Sequence, residues 1–241
     1  MGTIFPGGTG VTRISPPKLS GGAAGPSVTP ISATLTPGNA GSIVIPSSGS
    51  PISGGMFDGW VLFDPQGCVQ SMSDGATTFD IAFEKATNNY AWLSNVYAPS
   101  AQPIICWPNE VMKDFEFEVK STWLVDGSGE VNNASTSAAL IVHERPTDPA
   151  WGNYFGMASL GRWASTCDSG FGVSSGGASK KNTSYANIPR SGDVWLKLDR
   201  VKNQVTGYHK IGAAASYTVQ EGPDAIGGGG VASYIGIALY T

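Results

Sequence analysis

The chain has 241 residues, a net charge of −4 and only 13% charged side chains, together with 33 glycines and 16 prolines. This low charge disfavours nucleic acid as a partner, because neutralising phosphates requires a strongly basic surface. The chain contains no run of about 18 consecutive apolar residues, so we expect a soluble protein that does not span a membrane.

The N-terminal sequence MGTIFPGGTG has neither a basic segment nor a continuous apolar core. It therefore predicts no secretory signal peptide. The three cysteines, Cys68, Cys106 and Cys167, are widely spaced and lack the spacing of metal ligands. We expect mostly buried thiols, with one disulfide and a remaining thiol as the alternative.

Residues 1–55 contain 12 glycines and 8 prolines, with Arg13 and Lys18 as their only charges. Such a segment cannot assemble a conventional core, so we expect an extended arm in front of a body formed by residues 56–241. Short apolar islands in the arm are suited to adding as strands to the sheet edge of another chain, and a disordered linker is the alternative. The island residues expected to make these contacts are Ile4, Phe5, Val28, Ile31, Leu35, Ile43, Val44 and Ile45.

From Phe57 onward, strand-length runs rich in β-branched and aromatic residues are separated by clusters of Gly, Asn, Asp and Ser. This pattern predicts an all-β body. The predicted strands are 59–64, 77–85, 90–98, 103–107, 115–125, 137–144, 154–161, 171–175, 194–201, 204–211, 216–220 and 234–240.

Two of these strands alternate strictly. Between Phe115 and Lys120, apolar and charged residues take turns, which indicates one face in the core and one in water. In the strand 194–201, Trp195 and Lys197 share one face and the leucines share the other. Lys202 and Asn203 then form the natural tip of a hairpin.

The segment GDVWLKLDRVKNQVTGYHKIGAAASYTVQ, residues 192–220, resembles the characteristic hairpin of the concanavalin A-like lectin and glucanase superfamily, which includes laminin G-like modules. DFEFEVKSTW at 114–123 and SAALIVHERPTDPAWGNYFGMAS at 137–159 are similar to further strands of that family, and YIGIALYT resembles its last strand. The resemblance covers about residues 110–241. It implies a two-sheet antiparallel β-sandwich, the concanavalin A-like jelly roll, with an extended N-terminal arm.

Catalytic chemistry is disfavoured by the residue pattern. The glucanases of the resembled superfamily carry three acids along one strand, whereas this chain has only Glu116 and Glu118, with Lys120 following. Solvated edge charges are the favoured interpretation. His143 and His209, the only histidines, lie in no motif for a nucleophile or a zinc site, so we expect no enzyme and no cofactor.

The sequence contains residues for two further binding sites, one for Ca²⁺ and one for a glycan, and in each case a purely structural role of the same residues is the alternative. Asp126 and Glu130 flank a turn that is also within reach of one Ca²⁺, although the acid density of a dedicated calcium loop is lacking. A surface glycan site would use aromatic rings with polar partners, although core filling accounts for most aromatics in such folds. Its candidate residues are Trp151, Tyr154, Trp163, His143 and Arg145.

An all-β body without catalytic residues, carried behind an arm dotted with apolar islands, is typical of proteins that dock into assemblies. The architecture is similar to that of bacteriophage virion proteins. We therefore expect a capsid decoration or cement protein, or a tail or baseplate appendage, made in the host cytoplasm and located in the virion. Its partners would be other virion proteins and itself as a homo-oligomer. The alternative is a carbohydrate-binding module of an adhesin or of a polysaccharide-degrading system.

Overall fold

The computed structural model describes residues 10–14, 18–21, 33–34, 41–75, 78–83, 103–107, 114–124, 136–143, 154–162, 167–175, 178–186, 193–202, 204–213, 215–225 and 234–240. Within these ranges the chain is all-β, with strands and no helix. Accordingly, the described residues include no helix that is long and apolar enough to cross a membrane.

The strands are, in chain order, β1 (Gly10–Ile14), β2 (Lys18–Gly21), β3 (Ala33–Thr34), β4 (Gly41–Ile43), β5 (Ser50–Pro51), β6 (Val61–Phe63), β7 (Val69–Asp74), β8 (Phe79–Phe83), β9 (Ile104–Cys106), β10 (Phe115–Leu124), β11 (Thr136–His143), β12 (Tyr154–Arg162), β13 (Cys167–Ser175), β14 (Ala178–Ala186), β15 (Asp193–Val201), β16 (Gln204–Ile211), β17 (Thr218–Ala225) and β18 (Tyr234–Tyr240). Most strands predicted from Phe57 onward are confirmed within a few residues. The predicted strand 90–98 lies outside the described residues.

These strands form two sheets in which the described pairs are antiparallel. Sheet A has the order β17-β16-β15-β10-β1-β8-β7-β4, with β2 also paired to β10 and β3 paired to β2. Sheet B has the order β14-β13-β12-β11-β18-β9-β6-β5. Strands of the two sheets contact each other, since β12 touches β15 and β16, and β13 touches β17.

The N-terminal segment, predicted to be an extended arm, contributes strands to sheet A. Where the structure describes it, it pairs with the body: β1 lies between β10 and β8, and β2 follows along the same side of β10. Ile52, near the end of the segment, is 1% exposed and belongs to the core. The described strands β1 and β2 belong to a segment that is too glycine-rich to build its own core, and they form their hydrogen bonds with strands that have one. The division of the chain at residue 55 stays a prediction.

Among the described residues, a hydrophobic cluster receives side chains from both sheets. Leu62, Ile105, Ile235 and Ile237 come from sheet B, and the cluster also contains aromatic pairs such as Phe57 and Phe79, whose ring centroids are 4.8 Å apart in an edge-to-face arrangement. From sheet A the cluster receives Val69, Met72, Phe79, Ile81, Phe115, Phe117, Val119, Val194, Leu196, Leu198 and Val205.

The hairpin of β15 and β16 positions the site described below. Val201 pairs with Gln204, which confirms the predicted tip at Lys202 and Asn203. Lys202 has a positive φ of 57°, its amide donates to the Asp114 carboxylate at 2.6 Å, and its carbonyl accepts from Arg200 Nε at 2.7 Å. These contacts fix the turn, and the turn fixes the register of both strands.

Two of the three cysteines are buried, as predicted. Cys68 is 5% exposed and Cys106 is 1% exposed. Burial raises the pKa of the Cys106 thiol, because desolvation disfavours the thiolate. Cys167 begins β13, and its side chain lies outside the described residues.

Candidate binding face on sheet A

Strand alternation gives β15 two chemically different faces. Leu196 and Leu198 are fully buried in the core. Trp195, Lys197 and Asp199 lie half-buried on the opposite face, as the pattern of burial along the strand shows. The predicted separation of Trp195 and Lys197 from the leucines is therefore confirmed.

The strand register aligns these residues with their neighbours across sheet A. Trp195 is opposite Lys120 of β10 on one side and opposite Lys210 of β16 on the other. Lys197 is opposite Glu118 of β10 and Tyr208 of β16 in the same way. Residues directly opposite in an antiparallel pair share a face and lie within about 5.5 Å of each other. The outer face of sheet A therefore carries two rows of three residues, one with Lys120, Trp195 and Lys210 and the other with Glu118, Lys197 and Tyr208.

The rings and ammonium groups are in direct contact. Lys197 Nζ lies 4.3 Å from the ring centroid of Tyr208 and 5.3 Å from that of Tyr217. Lys210 Nζ lies 4.9 Å from the ring centroid of Trp195 and 4.7 Å from that of Tyr217. Such cation–π contacts contribute about 0.5–1 kcal/mol each at exposed sites. We define the outer patch as the residues Lys120, Trp195, Lys197, Tyr208, Lys210 and Tyr217.

Carboxylates hold two of the three lysines. Lys120 Nζ lies 3.0 Å from Asp193, and Lys197 Nζ lies 3.0 Å from Asp199 and 3.9 Å from Glu116. The side chains of Lys197 and Asp199 are each 16% exposed, so this pair is better shielded from water than the pair of Lys120 and Asp193. Because exposed ion pairs contribute at most about 1 kcal/mol, we assign the contact between Lys120 and Asp193 to orientation of the lysine more than to stability.

This geometry shifts the pKa values of two groups of the outer patch. Burial alone would lower the pKa of Lys197, but the hydrogen bond and charge of Asp199 outweigh it and raise the pKa. Burial raises the pKa of Tyr217, and the nearby Glu118 carboxylate raises it further. No described atom meets hydrogen-bond geometry with the Tyr217 hydroxyl, although Glu118 is close enough to affect its ionisation. Lys197 is thus held as a cation and Tyr217 as a neutral phenol.

This arrangement is suited to binding. Half-buried rings offer apolar faces, the lysines offer donors, and the acids beside them offer acceptors. Glu116 is 60% exposed, in line with a solvated charge, and the third position of the glucanase pattern is Lys120, which is ion-paired. His209 points into the core and is 8% exposed, and burial lowers its pKa.

The glycan-binding residues predicted from the sequence are only partly described. The backbone positions of His143 and Tyr154 are close, since His143 pairs with Phe155 where β11 ends and β12 begins. Their side chains, together with Trp151, Trp163 and Arg145, lie outside the described residues. This predicted site stays a prediction.

The weak calcium candidates, Asp126 and Glu130, also lie outside the described residues. Among the residues that are described, no group of three or more His, Cys, Asp or Glu side chains is placed to hold a metal ion. The calcium alternative therefore stays a prediction as well.

Three of the predicted arm contacts are described. Ile43 packs against the core cluster, whereas Val44 is 82% exposed and Ile45 is 36% exposed. The other predicted contacts, Ile4, Phe5, Val28, Ile31 and Leu35, lie outside the described residues.

Sequence reasoning did not single out the outer patch. A two-residue turn at Lys202 and Asn203 sets Lys197 opposite Tyr208 and Trp195 opposite Lys210, so the hairpin prediction contained the signal for these four residues. Tyr217 carried no such signal, because the register of β16 and β17 shifts on both sides of Gly207.

No family model and no curated protein matches the chain. Among solved structures, the chain is similar to a crystal structure of a GH43_12 protein retrieved from the capybara gut metagenome, with 7% sequence identity and a TM-score of 0.49. The match covers 76% of this chain and 32% of that protein, so the chain spans about a third of its length. This likeness carries no argument about function.

Proposed function

We propose that this chain is a non-enzymatic structural protein of a bacteriophage virion, either a capsid decoration or cement protein or a tail or baseplate appendage. The two sheets with their common core are interpreted as a concanavalin A-like jelly-roll sandwich. The N-terminal segment contributes strands to the sandwich where it is described, and its apolar islands contact neighbouring subunits.

The observation that carries this proposal is the exposed apolar pair Val44 and Ile45. These residues directly follow β4, the edge strand of sheet A, which pairs with β7 among the described strands. Val44 is 82% exposed. An edge strand followed by exposed apolar residues is a template for strand addition by another chain. In an assembly, a neighbouring virion subunit would cover this edge.

The assembly edge is tested by changing its charge. We expect the double variant Val44→Lys and Ile45→Lys to lose self-association or binding to virion subunits, because two lysines at an edge oppose pairing. Val201→Lys is the matched control, since Val201 is also exposed, at 57%, but lies at the tip of the β15–β16 hairpin. Light scattering of the three proteins measures the outcome, and equal masses for all of them would contradict the role of the edge.

The virion location is tested separately by mass spectrometry of density-purified particles of the phage that encodes the chain. We expect a fixed number of copies per particle, and removal of the gene should yield particles that lack them. Absence of the chain from mature particles would refute the virion role.

A second candidate function, carbohydrate binding by the sandwich, is favoured by the outer patch. Trp195 and Tyr208 are aromatic, half-buried and surrounded by hydrogen-bonding groups, which are the contacts that sugars use. We expect Trp195→Ala to abolish retention on a glycan surface, while Val201→Ala leaves retention unchanged. Retention of Trp195→Ala at the wild-type level would remove the outer patch as the binding face.

A further inference from the structure

Lys210 differs from the other two lysines of the outer patch. It lies between the rings of Trp195 and Tyr217, with its Nζ 4.9 Å and 4.7 Å from their centroids. Lys120 and Lys197 each have a carboxylate at 3.0 Å. Among the described residues, Lys210 has no ion pair. The outer patch therefore contains one cation whose charge no described carboxylate balances.

We infer that Lys210, Trp195 and Tyr217 form a binding subsite for a carboxylate-bearing sugar, of the uronic acid type, within a longer saccharide. This inference rests on the carbohydrate-binding candidate function given above. The sugar carboxylate would bind the Lys210 ammonium, and the apolar face of the sugar ring would pack on the neighbouring aromatic rings.

The position of Lys210 favours such a ligand over a neutral one. An ammonium held over two ring faces is desolvated on the ring side and keeps its remaining N–H donors for a partner above the sheet. A carboxylate there forms a charge-assisted hydrogen bond, which is about twice as strong as one between neutral groups. A neutral sugar hydroxyl gains less at the same position.

The surrounding acids favour a sugar over an acidic peptide. The side chain of Asp193 is 39% exposed and that of Glu116 is 60% exposed, and both lie on the same outer face of sheet A. These carboxylates accept hydrogen bonds from sugar hydroxyls but repel the closely spaced charges of an acidic peptide. A ligand with one carboxylate per ring and many hydroxyls fits both the Lys210 ammonium and the neighbouring carboxylates.

The test compares acidic saccharides with their neutral methyl esters. Oligogalacturonate, oligomannuronate and oligoglucuronate are titrated by calorimetry beside their methyl esters, which are neutral, and poly-glutamate is added as a competitor. We expect at least one acidic oligomer to bind about tenfold or more tightly than its ester, with an affinity that falls as salt rises. Poly-glutamate should not compete.

Variants assign the effect to Lys210. We expect Lys210→Met, which keeps the aliphatic stem, to reduce the affinity for the acid to that for the ester, and Lys210→Arg to retain most of the preference. Lys202→Met is the control, because Lys202 is an exposed lysine at the hairpin tip, outside the outer patch. Thermal unfolding of each variant verifies that it is folded.

The outcomes separate this inference from the candidate function beneath it. Equal binding of acids and esters, or an acid preference that survives Lys210→Met, overturns the subsite while carbohydrate binding stands. Competition by poly-glutamate identifies the outer patch as a surface for acidic peptides and overturns the subsite. If no saccharide of either kind is bound, both the subsite and carbohydrate binding by the outer patch are refuted.

Discussion

Thr12→Pro tests whether β1 is a central strand of sheet A. Thr12 pairs with Trp123 of β10 on one side and with Ile81 of β8 on the other. Proline has no N–H group, so the variant loses one hydrogen bond of the ladder and leaves a carbonyl of a neighbouring strand without its donor. Proline is accordingly confined to edge strands, bulges and first positions in natural sheets.

The expected decrease in the free energy of unfolding follows from the lost hydrogen bond and the unpaired carbonyl. A ladder hydrogen bond contributes about 1 kcal/mol net, and an acceptor left unsatisfied in a partly buried sheet costs about 1–3 kcal/mol. The free energy of unfolding should therefore fall by about 2–4 kcal/mol. For a chain of this size, 1 kcal/mol shifts Tm by about 2–4 °C, so we expect a decrease of about 4–16 °C.

Differential scanning fluorimetry of the wild type, Thr12→Pro and Thr12→Val provides the measurement. Thr12→Val is the matched control, because valine keeps the N–H group and the β-branched shape at a position opposite the buried Ile81. A melting temperature of Thr12→Pro within about 1 °C of the wild type would refute the central position of β1 in sheet A. Residues 10–14 would then be interpreted as part of a tether. Amide hydrogen exchange of the wild type gives a second test, since a paired strand is protected and a tether is not.

Three further results are expected. Phe117→Ala should lower the free energy of unfolding by about 3–5 kcal/mol in chemical denaturation, because Phe117 is fully buried, whereas Glu116→Ala on the same strand should change it by less than about 1 kcal/mol. Since the pKa values of Cys106, Lys197 and Tyr217 are all raised in the fold, the folded chain holds these protons more tightly than the unfolded chain; stability should therefore fall as the pH rises above about 9 and fall further above about 10, measured by urea midpoints across that range and by the delayed ionisation absorbance of tyrosine. Cys106 should resist iodoacetamide at about pH 8 in the native protein and react after unfolding, as peptide mapping would show, because burial raises its pKa.

The sequence predicted most of the body because each signal there is local. Alternation of Phe115, Phe117 and Val119 with charged residues gave β10 and its buried face, and the turn at Lys202 and Asn203 gave the register of β15 and β16. The strand β14 was not predicted. Its sequence, ASKKNTSYA, is polar and has no apolar alternation, so its pairing with β13 is a property of the sheet and not of the segment.

The candidate site was predictable in part for the same reason. The face that carries Trp195 and Lys197 follows from strand alternation alone, whereas the contact between Lys210 and Tyr217 depends on a register shift in β16 and β17. Exposure of individual aromatic rings depends on which strands lie beside them, and a sequence does not contain that information locally. The glycan site predicted from the sequence therefore rests on residue type and proximity in the chain, and not on the sheet face.

The pairing of the N-terminal segment with β10 is a feature that its composition does not predict. Its only charges, Arg13 and Lys18, are five positions apart, so a regular strand would place them on opposite faces. In the backbone register, Arg13 is opposite Thr122 and Asp80, and Lys18 is opposite Glu118. The pairing with β10 shifts by one residue between β1 and β2, across the interval that contains Pro16 and Pro17. A segment with this composition lacks a core, but a one-residue shift in pairing aligns both of its charged positions with positions of β10 that alternate with the buried Phe117 and Val119.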